Sequence, residues 1–582
     1  MKSRRAIGNS KAAPRSSGTG IFACVGLLSA LSAAAVWFFY SHGWLLYYGD
    51  SEAHLNIARR ILDSQTPGYG QLGTYWLPLP HVLMLPFVRV DAWWHSGIAA
   101  SFSAALCFVI GGTFLFAAAR RIFQSTAAAV AATGMVALNP NLLYLQSTAM
   151  TEAVFFAALM ALLYFSVRFH ESQGWGSVLG AGIATCAATL TRYEGWLLIP
   201  FAAAWFLYAA RRRRFPMALL FCVVASSGPL YWMAHGWWAT GDLLDWYNSP
   251  YSARAIQGDA PCPGRGDWHV AWYYYRNAVQ LCAGPVLTLL AVMGFVLPLV
   301  RALVKLRVAR ALVPAAPRLV SALFARARAQ EKAQSVDTSV DAADTSVCAT
   351  SFVSALGEGR MAYTVLWPFL LLSLPGAFIV WSMHSGVVPI FMPHLWPHSY
   401  YNTRYGLAAL PLLALLAAQM VTALPERLRP GAAALLIGAA IIPWLSHPHP
   451  ENWITWAESR ANSNGRRAWM HEAAEYLAPR YVRGSGIITS QGDDFAGIYR
   501  EMGIPLRETF SICNGLVWNA TVERPDLFLW QEWAVVKGGD PVQTAIHRAA
   551  RYGIRYHLER TIVKEYEPVV EIYRRIGVSH GR

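Results

Sequence analysis

Two carboxylates two residues apart, Asp50 and Glu52, follow the first long apolar run of the chain, Ile21 to Tyr40. A run of about 20 apolar residues is long enough to cross a bilayer. The pair is therefore expected where a membrane segment meets water. A carboxylate in that position is suited to accept a proton from a hydroxyl group or to help bind a divalent cation.

Four more ionisable residues fall at the predicted ends of apolar runs on the same side of the membrane, namely Glu152, Arg192, Glu194 and Arg404. A charge at mid-membrane costs at least about 2.5–3.5 kcal/mol, and the predicted spans carry almost none there. Together with the two carboxylates, these positions predict one polar site at the membrane surface. The alternative is a set of ordinary interfacial residues that pair with each other, such as Arg192 with Glu194 or Glu152.

The composition is that of a membrane protein. Of the 582 residues, 55% are hydrophobic and 14% are charged, whereas soluble chains carry about 25% charged residues. Trp, with 24 copies, anchors chains at membrane interfaces. The net charge of +15 raises nucleic acid as an alternative partner, which the distribution of the basic residues argues against.

Eleven apolar runs of roughly spanning length succeed one another along the chain. They lie near 21–40, 97–118, 126–145, 150–167, 175–191, 195–210, 216–238, 279–300, 362–382, 405–423 and 431–446. With the N-terminus inside, the predicted cytoplasmic segments hold 23 Lys and Arg and the outer loops hold 8. By the positive-inside rule this predicts a cytoplasmic N-terminus and an extracytoplasmic C-terminus, without a nucleic-acid partner.

The first outer loop, residues 41–96, is long and patterned. An apolar stripe between Ser51 and Asp63 predicts an amphipathic helix lying on the membrane. The stretch from Val82 to Phe87 predicts a second interfacial helix that is too short to span. His54 and His81 belong to these two segments, and we expect them near the carboxylates as helpers or as structural residues.

Two further segments differ from the spans. Residues 301–361 start basic and become rich in Ala, Ser, Thr and Asp, which predicts a flexible cytoplasmic loop. From 447 onward charges are frequent, and the patterns at 486–510 and 533–556 predict strand–helix–strand units followed by a last strand at 569–573. We therefore predict a transmembrane domain at 1–446 and a small extracytoplasmic α/β domain at 447–582.

Over residues 21–425 the chain resembles the GT-C superfamily of membrane glycosyltransferases, which includes the protein O-mannosyltransferases, the aminoarabinose lipid A transferases and the oligosaccharyltransferase catalytic subunits. The resemblance rests on the order and sidedness of four motifs: Gly49-Asp50-Ser51-Glu52, Met150-Thr151-Glu152-Ala153, Thr191-Arg192-Tyr193-Glu194-Gly195-Trp196 and Tyr401-Asn402-Thr403-Arg404-Tyr405-Gly406. It implies a polytopic α-helical GT-C fold in which 1–446 is catalytic, and a mannosyltransferase-like enzyme of the cell envelope. The sequon-reading motif of the oligosaccharyltransferases is not visible.

The resemblance also implies a donor sugar carried on a polyprenyl phosphate and used at the outer face of the bilayer. Transfer to an acceptor hydroxyl needs a base, and we assign Asp50 to that role. A single displacement through an oxocarbenium-like transition state inverts the anomeric carbon. The leaving phosphate needs cations, for which Arg404 is the first candidate, Arg192 the second and Arg59 the third.

The roles of the other acidic residues are open at this point. Asp50, Glu52 and Glu152 are candidates to hold Mg²⁺ or Mn²⁺, because oxygen ligands suit these ions. Alternatively, Glu52 and Glu152 bind the acceptor or support the first loop, and Glu194 shares the acceptor or metal role. The acceptor itself, whether glycan, lipid or protein, is not determined by the sequence.

Two other functions compete with this hypothesis. A transporter or flippase of a lipid-linked sugar predicts polar groups at mid-membrane or paired broken helices, and neither is evident. A non-catalytic envelope-assembly protein would use the α/β domain to bind a partner.

Overall fold

The computed structural model describes residues 18–312, 366–492 and 495–577. The helices before the C-terminal region are α1 (Gly18–Ser41), α2 (Gly49–Arg60), α3 (Leu79–Val88), α4 (Asp91–Ser96), α5 (Ile98–Phe123), α6 (Thr126–Ala137), α7 (Pro140–Leu145), α8 (Glu152–Ser172), α9 (Trp175–Thr189), α10 (Glu194–Ala209), α11 (Arg214–Thr240), α12 (Asp245–Asn248), α13 (Ala253–Gln257), α14 (Trp268–Ala283), α15 (Pro285–Leu312), α16 (Leu366–His384), α17 (Leu410–Thr422) and α18 (Arg429–Ser446).

The C-terminal region adds α19 (Ile454–Ala461), α20 (Asn464–Leu477), α21 (Gly497–Met502), α22 (Leu516–Glu523), α23 (Pro525–Phe528) and α24 (Pro541–Ala549). Its strands are β1 (Ile487–Thr489), β2 (Thr509–Phe510), β3 (Trp533–Lys537), β4 (Tyr556–Ile562) and β5 (Val570–Arg575). Short 3₁₀ segments occur at Tyr69–Leu72, Thr403–Ala409, Glu426–Leu428, Pro450–Asn452, Leu506–Glu508, Ile512–Asn514 and Ala550–Tyr552.

Within the described residues, seven helices are long and apolar enough to cross a membrane, or eight if the bent pair α14–α15 counts as one span. Helices lie at all eleven predicted runs, although several are shorter than a full span. The chain is thus the predicted polytopic α-helical membrane protein, while the number of eleven spans stays a prediction.

The predicted span at 279–300 contains a sharp bend. It corresponds to the end of α14 and the start of α15, which meet at 108°. Gly284 takes a left-handed φ of 85° at the junction, and Pro285 follows it. Glycine in that conformation ends a helix and proline starts the next one, so the chain turns here.

The helix bundle packs closely where small residues face each other. At Gly111 on α5, an added Cβ would lie 3.2 Å from the backbone of Ala157 on α8. Close approach of this kind provides the packing on which helix association in a bilayer depends. Small residues therefore set how closely α5 and α8 approach each other.

The loop between α1 and α5 is folded rather than laid on the membrane. Helix α3 forms at the predicted second interfacial segment. Helix α2, in contrast, is not an amphipathic surface helix, because its residues from Ser51 to Arg59 are all buried. Arg59, which was expected to be exposed, is paired within the α1–α5 loop with Asp63 and Asp91, and Glu52 is paired with Arg500 of the C-terminal region.

The C-terminal region forms the predicted α/β unit. Its five strands have the order β2-β1-β3-β5-β4. Strand β1 runs parallel to both β2 and β3, and β5 is antiparallel to β3 and β4. Of the predicted loop at 301–361, the first residues continue α15 to Leu312, and the part from 313 onward lies outside the described residues.

The α/β unit is joined to the α1–α5 loop by ion pairs. Arg500 Nε lies 3.2 Å from Glu52 Oε1 on α2, and Arg507 Nη1 lies 3.1 Å from Asp63 Oδ1. Arg500 also donates to the carbonyl of His95, at 2.9 Å. These contacts place the C-terminal region over the end of the bundle at which α2 begins.

Candidate functional site

The site is organised around Arg404, which stands in the 3₁₀ turn before α17. Asn402 takes a left-handed φ of 55° and starts the turn, a conformation that Asn tolerates better than most residues. Two positions after Arg404, an added Cβ at Gly406 would lie 2.3 Å from the carbonyl oxygen of Ala278 on α14. The turn is therefore pressed against α14, which fixes the guanidinium.

Three carboxylates converge on the guanidinium of Arg404, although they are far apart in sequence. Its Nη2 lies 2.7 Å from Asp50 Oδ2, and its Nη1 lies 3.1 Å from Glu458 Oε1. Its Nε lies 3.4 Å from Glu152 Oε1, without a hydrogen bond among the described residues. The arginine side chain is 8% exposed and the Asp50 side chain is 43% exposed. Asp50 is thus the member of the cluster that is accessible to solvent.

Glu458 on α19 was missed by the sequence analysis. It is completely buried and accepts hydrogen bonds from the backbone nitrogens of Asn402 and Thr403, at 3.1 and 2.7 Å, and from the Thr403 hydroxyl. Burial raises the pKa of Glu458, against the lowering effect of Arg404 and Thr403. The only signal in the sequence was a Glu placed four residues after Ile454 on a short amphipathic helix, which does not distinguish it from a surface residue.

Arg192 forms the second cationic centre, between α9 and α10. It contacts Glu152 at 3.1 Å and Glu194 at 2.8 Å, and it donates to the Thr151 hydroxyl at 3.0 Å. An added Cβ at Gly195 would lie 2.5 Å from the backbone of Ala188, so the glycine lets this turn fold back onto α9. Glu152 accepts from Arg192 and faces Arg404, and it joins the two arginines into one network.

The mutual pairing that formed the alternative interpretation is therefore present, since Arg192 does bind Glu194 and Glu152. It does not account for the whole cluster. Arg404 and Asp50 are brought to the same network from a distant loop, and Asp50 stays accessible. Four carboxylates, Asp50, Glu152, Glu194 and Glu458, face two guanidinium groups.

Aromatic side chains surround the exposed side of the cluster. The Arg404 guanidinium lies 5.1 Å from the Tyr48 ring and 5.3 Å from the Tyr405 ring. Burial, with nearby Tyr405 and Asp50, raises the pKa of Tyr401 to about 12, and burial likewise raises the pKa of Tyr75. These two phenols stay protonated at neutral pH, and the accessible Asp50 carboxylate lies near them.

A further arginine, also missed by the sequence analysis, lies against Gly49, the residue before Asp50. Arg466 on α20 is 8% exposed, and an added Cβ at Gly49 would lie 2.4 Å from its Nη1. It donates to the carbonyl of Tyr47 at 3.0 Å, and its Nε has no hydrogen-bond partner in the described parts of the chain. No carboxylate oxygen of those parts lies within 4 Å of it. A buried guanidinium without a carboxylate is suited to bind an anion.

Glu52 does not join this cluster. Its carboxylate, 3% exposed, pairs with Arg500 and accepts from Asn56 at 3.2 Å. Residues Asp50 and Glu52 are two apart on a helix, so their side chains leave the axis in different directions. Of the alternatives for Glu52, the geometry favours support of the first loop over acceptor or metal binding.

His54 and His81 pair with each other. Their rings are joined by a hydrogen bond of 2.8 Å between Nδ1 of His54 and Nε2 of His81. Burial lowers the pKa of His54 to about 4, against the opposing charge of Asp50, and burial also lowers the pKa of His81. Both rings are neutral at pH 7 and link α2 to α3 close to Asp50.

Arg59 lies apart from the site, which argues against its assignment to the donor phosphate. Its guanidinium contacts Asp63 at 2.8 Å and Asp91 at 2.6 Å, and it donates to the carbonyl of Val88 at 2.6 Å. All three nitrogens of its guanidinium group are used in these contacts, which join α2 to α3 and α4. The overlooked signal in the sequence was Asp63, which follows Arg59 by four residues, the spacing of an ion pair along a helix.

The predicted metal set of Asp50, Glu52 and Glu152 is not brought to one point. Glu52 is turned toward Arg500, and the other two carboxylates face Arg404. In the described parts of the chain no three His, Cys, Asp or Glu side chains are grouped so that they could hold a metal ion. The donor set therefore does not fit Mg²⁺ or Mn²⁺, and no step is assigned to a metal.

Comparison with known proteins agrees with this architecture. Residues 94–232, which include Glu152, Arg192 and Glu194, match the family described as dolichyl-phosphate-mannose-protein mannosyltransferase. The fold is similar to that of ArnT from Cupriavidus metallidurans bound to undecaprenyl phosphate, over 96% of this chain and 98% of that chain, with a TM-score of 0.51 and 15% identity. No curated protein matches the chain.

A weaker similarity is to the oligosaccharyltransferase of Archaeoglobus fulgidus in its complex with Zn and sulfate. It covers 88% of this chain and 68% of that chain, with a TM-score of 0.39 and 14% identity. The chain thus shares the fold of ArnT over nearly its whole length and is similar, over residues 94–232, to the mannosyltransferase family.

Proposed function

We propose that the protein transfers a sugar from a polyprenyl-phosphate donor to a hydroxyl of an acceptor at the extracytoplasmic face of the membrane, with Asp50 as base. The observation that carries this proposal is the accessible Asp50 carboxylate held 2.7 Å from the buried Arg404. A proton acceptor and a cation for the leaving phosphate thus lie side by side at one end of the bundle. The sidedness follows from the positive-inside rule.

The lipid-linked donor is supported by the chemistry of the location. The cluster lies where α1 ends and α8, α10 and α17 begin, so a donor anchored by its prenyl chain between the helices presents its phosphate there. The ArnT structure, which shares the fold, was solved with undecaprenyl phosphate bound. A nucleotide sugar would not be supplied on the extracytoplasmic side.

We assign the phosphate to Arg404 and Arg466, in place of Arg59. The Nη2 donor of Arg404 faces the accessible Asp50 carboxylate. Arg466 lies against Gly49 and has no carboxylate partner in the described parts of the chain. Phosphate accepts hydrogen bonds from two guanidinium groups well, because both are planar and permanently charged. Arg192 is held by Glu152 and Glu194, and it acts by keeping Glu152 in place.

Phosphate binding and base activation are coupled in this arrangement. A phosphate that takes the Nη2 donor of Arg404 replaces Asp50, whose carboxylate is then free to accept the proton of the acceptor hydroxyl. The hydroxyl oxygen forms the new bond to the anomeric carbon while the bond from that carbon to the phosphate oxygen breaks. The leaving group departs as polyprenyl phosphate, the proton stays on Asp50, and the anomeric carbon is inverted by the single displacement.

The central experiment compares Asp50→Asn with a matched control, Asp91→Asn. Both aspartates stand in the α1–α5 loop and contact a buried arginine, Asp50 at 2.7 Å and Asp91 at 2.6 Å. Purified protein is given radiolabelled polyprenyl-phosphate hexoses and envelope membranes from a deletion strain as acceptor. We expect Asp50→Asn to lose at least about 100-fold in transfer, since a general base contributes that much, and to stay folded.

Asp91→Asn should transfer at close to the wild-type rate. Full transfer by folded Asp50→Asn protein would show that Asp50 is not the base. A chain that moves lipid-linked sugar across vesicles without forming a glycosidic bond would instead be a transporter. Mass spectrometry of envelope glycans, lipids and proteins after deletion of the chain names the sugar and the acceptor together.

A further inference from the structure

A second cleft lies between the α1–α5 loop and the C-terminal sheet, away from the charged cluster. It holds about 470 Å³ of non-atom space and is partly open to solvent. The loop contributes Arg60 and Gln71, and the sheet side contributes Thr489, Gln491 and Tyr499. In parallel sheets, ligands bind outside the carboxyl ends of the strands where the strand order reverses. The order β2-β1-β3 places that reversal at β1, whose carboxyl end borders this cleft.

The wall of the cleft contains polar atoms that are buried without partners. Both side-chain amide atoms of Gln491 lack a hydrogen bond in the described parts of the chain, as do Gln71 Oε1 and Ser64 Oγ. Gln491 is 5% exposed and Gln71 is 6% exposed. Leaving such groups unpaired is unfavourable, so their presence around one cleft points to a ligand that satisfies them.

The unpaired atoms select the chemistry of that ligand. The Gln491 amide nitrogen and the Ser64 hydroxyl donate, whereas Gln71 Oε1 and Gln491 Oε1 accept. An anion only accepts hydrogen bonds and would leave both carbonyl oxygens unpaired, and an ammonium group only donates. Hydroxyl groups do both. Tyr499 adds an aromatic ring to the wall.

We propose that this cleft is a binding site for a neutral saccharide, separate from the reaction centre. Arg60 follows Asp50 by ten residues on α2, and a rise of 1.5 Å per residue puts the cleft about 15 Å from Asp50. That the bound saccharide belongs to a glycan acceptor rests on the function proposed above. Saccharide binding itself is inferred from the cleft alone, and it can be measured without turnover.

The experiment uses the full-length protein in detergent and two kinds of probe. Saturation-transfer NMR follows methyl glycosides of glucose, mannose, galactose and N-acetylglucosamine, and ³¹P line broadening follows inorganic phosphate. The variants are Gln491→Leu and the milder Ser64→Ala. The matched control is Gln531→Leu, because Gln531 is also a buried amide with both side-chain atoms unpaired but does not line the cleft.

We expect at least one glycoside to bind the wild-type chain, and Gln491→Leu to weaken that binding about tenfold through the loss of its hydrogen bonds. Ser64→Ala should weaken it less, and Gln531→Leu should leave it unchanged. Binding that Gln491→Leu and Ser64→Ala leave intact, phosphate binding in place of glycoside binding, or no glycoside binding would each overturn the proposal. Asp50→Asn should bind the glycoside normally, so loss of transfer and loss of saccharide binding are distinguishable.

Discussion

Removal of the Glu458 charge should uncouple the C-terminal region from the reaction centre. Glu458 touches no predicted substrate position, yet it holds Arg404 and the turn on which Arg404 stands. Its Oε1 accepts from Asn402 N and Arg404 Nη1, and its Oε2 accepts from Thr403 N and the Thr403 hydroxyl. In Glu458→Gln one oxygen becomes an amide nitrogen that donates. At the Oε2 position it faces the Thr403 backbone nitrogen, which also donates, and the Thr403 hydroxyl, which can turn to accept.

The magnitude follows from those contacts. At least one of the four acceptor interactions is lost, together with the negative charge opposite Arg404, and a hydrogen bond to a charged group contributes about 1.5–3 kcal/mol. The unfolding free energy should therefore fall by about 3 kcal/mol, which lies at the lower end of the cost of breaking a buried ion pair. With the turn no longer held, Arg404 leaves its position against Asp50, and we expect both a lower kcat and a higher KM for the lipid-phosphate donor.

The assay needs a control that is destabilised elsewhere. Glu532 provides it, because its carboxylate is 2% exposed and lies 2.8 Å from Arg574 Nε inside the C-terminal sheet. Both variants are purified, their melting temperatures are measured in the same detergent, and transfer is expressed per folded molecule. Glu532→Gln should melt earlier and keep the wild-type kcat and donor KM. Glu458→Gln should melt earlier and change both.

Two outcomes would refute this reasoning. Folded Glu458→Gln protein with wild-type kcat and donor KM would show that Arg404 does not depend on Glu458. An equal loss of transfer in Glu532→Gln would show that any weakening of the C-terminal region has the same effect.

Two more predictions concern residues near the site. Arg59→Met should lower the melting temperature, because it removes one of the two guanidinium partners of the buried Asp63 and leaves only Arg507, and should leave the donor KM unchanged; a raised donor KM at unchanged stability would return Arg59 to the phosphate site. His54, whose pKa burial lowers to about 4, binds its proton more readily in the unfolded chain, so stability should fall as pH drops from about 6.5 to about 4, by up to about 3 kcal/mol. Thermal unfolding across that range should show a flatter profile for His54→Asn, which still faces His81, and an unchanged one for the exposed His42→Asn. An unchanged slope in His54→Asn would contradict the neutral pair.

The residues of the proposed reaction centre were only partly visible in the sequence. Asp50, Glu152, Arg192 and Arg404 stand out because each is an ionisable residue at the end of an apolar run, where a charge is costly unless it has a use. Glu458 and Arg466 come from the C-terminal region, in which charged residues are common. Nothing in their local pattern separates them from surface residues.

The sequence by itself determined the class of the protein and the main elements, because apolar length, loop charge and strand alternation are local properties of the chain. The strand–helix–strand units, the polytopic bundle and the polar end of the bundle are of this kind. Only the tertiary structure decided which charges meet. Asp50 and Glu52 are two residues apart, but Asp50 faces Arg404 and Glu52 faces Arg500. The partners of a charge depend on which distant segments pack against it, and that information is absent from local sequence.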